Sequence, residues 1–157
     1  MEKIPMTREG LKALEDELRR LKTVERPAVI QAIAAAREHG DLSENAEYDA
    51  AREKQGFIEG RVAELESVIS LAEVIDTSGM TGDTVRFGAT VLLADEDTGE
   101  EVSYRIVGQH EADLEKGMIS VTSPLARALV GKSVDDSVEV TTPGGSKAYE
   151  ICEVSFK

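Results

Sequence analysis

The sequence predicts an α+β protein in two parts: an N-terminal antiparallel α-helical coiled-coil hairpin over residues 1–76 and a C-terminal α+β domain over residues 77–157. Three observations carry this. Before Asp76, glycine and proline are sparse and apolar residues recur at helical steps. After it, apolar and polar residues alternate between turn-forming glycines: Gly79, Gly82, Gly88, Gly99, Gly131, Gly144 and Gly145. The chain of 157 residues is 41% apolar, enough for two small cores without a disulfide or a structural metal.

Thr7 is the expected cap of the first helix, since its hydroxyl can accept from a free amide of the first turn. Leu11, Leu14, Leu18 and Leu21 then form one apolar stripe. The stripe loses phase before Ile30 and Ile33. Pro27 lies in the gap, lacking an N–H and crowding the preceding turn, so a kink or a helix restart is expected there. Gly40 ends this arm. A second helix begins near Ser43, and Ile58, Val62, Leu65, Ile69 and Ala72 step along it as a coiled-coil seam. A short loop between arms of matching length predicts antiparallel packing. Straight arms would reach about 50 Å at about 1.5 Å per residue. Large apolar residues sit toward the base, and Ala34, Ala35, Ala36, Ala46, Ala50 and Ala51 replace them near the turn, predicting a slender tip.

In the second part, Val85, Phe87, Ala89, Val91 and Leu93 alternate strictly, and Val102, Tyr104 and Ile106 follow the turn at Asp95–Gly99. Ile119 and Val121 make a short strand. Ser123 and Pro124 open a helix with a cap and a proline at its first position, and Gly131 closes it. Val138 and Val140, the Pro143–Gly145 turn, and Tyr149, Ile151 and Val154 form a last hairpin. The expected domain is one antiparallel sheet with one helix, in the order β-β-β-α-β-β.

Composition excludes several function classes. The chain carries 18 basic against 31 acidic residues, a net charge of −13, which argues against unaided binding to DNA, RNA or an anionic membrane. No run of about eighteen apolar residues is present, so no helical span is predicted. The opening Met1-Glu2-Lys3-Ile4-Pro5-Met6 has no apolar core of a secretory signal, and the single Cys152 fits a reducing compartment, so a cytoplasmic location is expected. The two histidines, His39 and His110, lie far apart and no Cys/His cluster has zinc spacing.

The run Arg37-Glu38-His39-Gly40-Asp41-Leu42-Ser43-Glu44-Asn45-Ala46-Glu47-Tyr48 is the most unusual stretch. Two readings of it stay open. Asp41 or Ser43 caps the second helix while Glu44 and Glu47 favour its positive end. Alternatively, Asp41 and Glu44 at the end of a finger reach into another molecule, where both can contact one hard cation. Two carboxylates are too few to hold Mg²⁺ unaided, so the remaining ligands would come from a partner. His39 beside this acidic turn is either a third ligand or, in the favoured reading, an exposed residue at a helix end that suits the dipole. Arg37 and Arg52, on opposite arms, are either solvated charges or a small basic spot suited to a phosphate.

Gly40-Asp41-Leu42-Ser43-Glu44-Asn45-Ala46-Glu47-Tyr48 resembles the tip signature of the Gre transcript cleavage factors of bacterial RNA polymerase. The opening Met6-Thr7-Arg8-Glu9-Gly10-Leu11, the step Glu25-Arg26-Pro27 and the segment Val121–Leu129 resemble that family too, so the likeness covers essentially the whole chain. Leu42 and the shortage of basic residues near the tip are more similar to the GreA branch than to GreB. The resemblance implies a coiled coil inserted through the secondary channel of a backtracked polymerase. It implies that Asp41 and Glu44 help hold a catalytic Mg²⁺ shared with the polymerase, with Ser43, Asn45 and Tyr48 supporting the tip. It places Arg37 and Arg52 near the RNA 3′ end. It also implies an FKBP-like C-terminal domain that docks on the channel rim through Thr122, Ser123 and Pro124. The factor is then no enzyme alone: it stimulates the polymerase's cleavage of nascent RNA, binds no free DNA and no membrane, and is expected to be a monomer.

Three rival readings compete with this one. A related inhibitor class uses the same finger with an expanded acidic cluster, which Asp41-Leu42-Ser43-Glu44 lacks. A prolyl isomerase needs an aromatic-lined pocket, yet the second part has only Phe87, Tyr104, Tyr149 and Phe156, whose alternation fits a small core. A passive coiled-coil scaffold explains the seam but not the alanine-rich tip.

Overall fold

The structure, a computed structural model, describes residues 2–38 and 45–156. The chain divides into two compact units, one built on Leu11–Ala72 and one that combines Lys3–Gly10 with Glu73–Lys157.

The first unit is a helical hairpin. Its first arm runs through α1 (Arg8–Arg20), a π-helical turn at Leu21–Glu25 and α2 (Arg26–Arg37). Its second arm is α3 (Ala46–Ser70). The α-helix is interrupted and restarts at Pro27, as expected: α1 ends at Arg20, and α2 begins at Arg26 with Pro27 in its first turn. Between them the chain widens by one turn, where the Arg26 amide donates to Leu21 O. Pro27 has no amide to give Thr23 O, and the wider turn relieves the crowding of its ring. The extra residue also restores the phase of the stripe. Two turns that include a π turn span about eight residues instead of about seven, so Val29 follows Leu21 into the core. Val29 is 3% exposed and Ile30 51%, which moves the resumed stripe from Ile30 to Val29.

Ile33 continues the seam, clustered with Ala51, Ile58 and Val62 of α3, and Ala36 and Leu65 are buried as well. Of the alanines near the turn, Ala36 and Ala51 are buried. At the other end Val68, not Ile69, is buried, because the last turn tightens: the Leu71 amide bonds back to Val68 O at 3.1 Å. Ala72 has already left the helix.

The second unit opens with β1 (Ile4–Met6), which pairs with β2 (Ala72–Val74), and the Ile75 amide donates to Met6 O at 2.9 Å. Residues 3–10 therefore pack with the second unit, although the sequence reading assigned them to the hairpin. The main sheet contains β3 (Thr90–Asp95), β4 (Glu101–Val107), β5 (Met118–Ser120), β6 (Ser137–Thr142) and β7 (Gly145–Ser155). Their spatial order is β5-β4-β3-β7-β6. The sheet is mixed, not wholly antiparallel, since β4 and β5 run parallel with Arg105 opposite Met118. The loop after Val107 carries the chain back alongside Arg105, in the second half of β4, before β5 begins, turning through Gly117 at φ 72°.

The alternation from Val85 to Leu93 is real in burial but not in pairing. Val85, Ala89, Val91 and Leu93 are all buried, yet β3 begins only at Thr90. Gly88 takes φ 87° and comes so close to Thr77 that a Cβ would lie 2.3 Å from its methyl group. That close approach requires glycine and interrupts the strand. The helix α4 (Pro124–Leu129) lays Ala126 and Leu129 against Val91, Ile106 and Ile151, completing the core. A bulge in β7 sets Leu92 opposite Glu153 but Leu93 opposite Ile151, leaving Cys152 without a partner residue on β3.

Candidate functional site

The acids that the sequence singles out at the hairpin end, Asp41 and Glu44, lie outside the described residues, as do Ser43 and His39. The residues on either side of them are described. Asn45 is the N-cap of α3, at φ −91° and ψ 100°. Its Oδ1 accepts from the Tyr48 amide at 3.0 Å, while its Nδ2 donates to Ala36 O at 2.7 Å. One side chain thus caps the second arm and ties it to the last turn of the first. The cap that the sequence reading offered to Asp41 or Ser43 belongs to Asn45. Tyr48 is half-buried against the seam cluster, and Glu47 and Asp49 lie in the first turn of α3, at its positive end.

Arg37 and Arg52, distant in sequence, line one depression of about 340 Å³ with Ile30, Ile33, Ala34 and Gln55. Among the described residues neither joins the ion pairs of the hairpin. Those pairs lie further from the turn. Arg26 forks onto Glu59 at 2.8 and 2.7 Å, and Arg61 onto Glu17 at 2.7 and 2.8 Å. Lys22 reaches Glu66 at 3.0 Å. The hydrogen bonds from Arg61 and Arg26 hold the Glu17 and Glu59 carboxyls below the usual range. Geometry this directional fixes the register of one arm on the other.

In the second unit Ser123 caps α4, its Oγ accepting from the Ala126 amide at 3.2 Å. Thr122 and Pro124 are exposed and Ser123 is half-buried. Ser120 Oγ lies 2.7 Å from Thr122 Oγ1, which orders the approach to the helix.

Residues 4–74 match the family described as "Transcription elongation factor, N-terminal", and residues 80–156 match "Transcription elongation factor, GreA/GreB, C-term". The chain belongs to the GreA/GreB family of transcription elongation factors. It is 65% identical to "Transcription elongation factor GreA" of Phenylobacterium zucineum and 66% identical to that of Rhodospirillum rubrum, each over 156 residues and 99% of both chains. Among solved structures it is similar to Gfh1 of Thermus thermophilus, 26% identical with a TM-score of 0.45, covering 98% of this chain and 99% of that one.

Sequence reasoning missed one cluster in this GreA/GreB family chain. The Glu111 carboxylate accepts from the Thr7 amide at 2.8 Å, from the Gly108 amide at 2.9 Å and from the Thr7 hydroxyl. Thr7 Oγ1 in turn accepts from the Gly10 amide at 3.0 Å, making the expected cap. Side chains are excluded around this clasp. A Cβ on Gly10 would stand 2.0 Å from Glu111 Oε1, and one on Gly108 would stand 2.3 Å from Pro5 O. Gly10 beside the Thr7 cap was the only signal in the sequence, and it did not name Glu111.

The chemistry of the donors bears on a metal. Asp41 and Glu44 are hard oxygen donors of the kind Mg²⁺ takes. Among the described residues no group of three His, Cys, Asp or Glu side chains is placed to hold an ion.

Proposed function

We propose that this elongation factor rescues backtracked, arrested RNA polymerase by inserting its hairpin into the secondary channel and stimulating the polymerase's own Mg²⁺-dependent cleavage of the nascent RNA 3′ end. The observation that carries the reading is the convergence of Arg37 and Arg52 on one depression next to the Asn45 clasp, beside the two acids in sequence. In this reading Asp41 and Glu44 offer carboxylate oxygens to a Mg²⁺ whose other ligands belong to the polymerase. The bound ion would stabilise charge on the attacking and leaving oxygens of the phosphodiester. Asp41 or Glu44 also holds the attacking water by accepting its hydrogen bond. Arg37 and Arg52 attract the phosphates of the extruded RNA, and Ser43, Asn45 and Tyr48 keep the arm ends together so that the acids are presented in one place. Thr122, Ser123 and Pro124 dock the second unit on the polymerase.

The protein is no nuclease by itself on this reading, and it works as a monomer in the cytoplasm. A net charge of −13 accords with the lack of free DNA binding: RNA is met only inside the complex. The test is cleavage of the transcript in stalled, backtracked complexes. The unmodified chain should shorten the RNA from its 3′ end, and Asp41→Asn should not, while still competing for polymerase. Equal cleavage by both would remove Asp41 from the mechanism.

A further inference from the structure

The second unit contains a cleft of about 430 Å³ that transcript cleavage does not use. Arg8, Asp76, Ser78, Arg105 and Phe156 line it, together with Glu9. All belong to that unit.

Arg105 is incompletely partnered there. Its Nε is buried and, among the described residues, has no hydrogen-bond acceptor. Its Nη2 stands 3.9 Å from Glu9 Oε2, beyond hydrogen-bonding distance. The edge formed by Nε and Nη2 is one that grips oxyanions through two parallel bonds, and here it lacks an acceptor. The nearby acids do not supply one. Asp76 Oδ1 is occupied, accepting from the Ser78 amide at 3.0 Å and the Ser78 hydroxyl at 2.7 Å. Those bonds, with the charge of Arg8, hold the Asp76 carboxyl below its usual range. Glu9 is 77% exposed and makes no direct bond to Arg105. Arg8 brings a second guanidinium to the cleft and joins no ion pair among the described residues.

We infer that this cleft binds a phosphate group, held by the guanidinium of Arg105 and by the charge of Arg8. Phosphate suits it better than carboxylate, because three terminal oxygens allow one group to face both guanidiniums, whereas a carboxylate spends both oxygens on one edge. The volume exceeds that of the bare ion, and Phe156 and Ile75 provide an apolar wall for the remainder of a phosphorylated molecule. Inorganic phosphate and a nucleoside monophosphate share the recognised chemistry. Glu9 and Asp76, the two acids of the cleft, compete with either.

The test uses the full chain labelled with ¹⁵N, following the arginine Nε–Hε resonances, with that of Arg105 assigned by Arg105→Lys. Inorganic phosphate and adenosine 5′-monophosphate are titrated into the millimolar range at constant ionic strength, with chloride as control. Phosphate should move the Arg105 resonance along a saturating curve. A tighter curve with the nucleotide assigns the nucleotide as source, and equal curves assign free phosphate. Arg8→Gln, at an exposed position, should weaken binding roughly threefold and Glu9→Gln should strengthen it by a similar factor, the effect of one partly exposed charge. A linear shift like that of chloride, or saturation untouched by both substitutions, overturns the site.

Discussion

Asn45 shows how much one residue settles at the hairpin end. It satisfies an orphan amide of α3 and an orphan carbonyl of α2 at once. Asn45→Ala should cost about 0.5–2 kcal/mol as a lost cap, measured by urea unfolding of the full chain. Asn45→Asp should recover part of that, because it keeps the acceptor but loses the donor to Ala36. If both substitutions unfold like the parent, the clasp contributes nothing. With the cap on Asn45, Asp41→Asn should leave helix content unchanged while lowering cleavage at least about tenfold, the loss that even an outer-shell partner of a metal ligand causes. Raising Mg²⁺ should restore part of the rate, since the substitution weakens one ligand among several. A rate that stays flat across Mg²⁺ concentrations would separate Asp41 from the ion.

At the scale of elements, the arms are held in register by forked arginine–glutamate pairs. Glu17 and Glu59 have lowered pKa values in the folded chain, chiefly through the hydrogen bonds from Arg61 and Arg26. A depressed carboxyl stabilises the fold in its ionised form. Its contribution is complete above the unfolded glutamate value, about 4.3, and is lost as pH falls below that toward the depressed values. Hairpin unfolding followed by helical circular dichroism should therefore lose stability below about pH 4.3, and the double substitution Glu17→Gln, Glu59→Gln should flatten that slope. A slope unchanged by the double substitution would assign acid sensitivity to other groups. In the second unit, packing around the Glu111 clasp requires glycine at positions 10 and 108. Gly108→Ala drives a methyl group against the Pro5 backbone and should destabilise by about 1–3 kcal/mol, as overpacking does. Gly79→Ala, where nothing lies within 4 Å, should be neutral or slightly stabilising. Thermal melts of the two variants compare them directly, and matching melting points would show that the 108–111 loop yields.

At the scale of the molecule, residues 3–10 fold with a unit from which they are separated by the whole hairpin. Hydrogen exchange should place the Thr7 amide, bonded to Glu111 Oε2, in the same protection class as the core strands β3 and β7. Glu111→Gln should speed its exchange, since one amide oxygen cannot replace two carboxylate oxygens. Exchange of Thr7 in step with the hairpin helices instead would assign the N-terminal strand to the first unit.

Helical steps of leucine, the alternation of the strands, the Thr7 and Ser123 caps and the tip signature were all legible in the sequence, because each depends on neighbours within a turn or two. Residues 41, 43 and 44 were singled out that way, as a motif, and lie outside the described residues. The tertiary structure alone decided the rest. It moved the seam from Ile30 to Val29 through a π turn, since phase depends on how a helix meets its partner. It gave the cap to Asn45, brought Arg37 beside Arg52, and made β5 parallel to β4. It also joined Glu111 to Thr7 and, among the described residues, left Arg105 Nε without an acceptor. Periodicity records which face of an element is apolar, but which polar groups meet across more than a hundred residues depends on where the folded chain carries them.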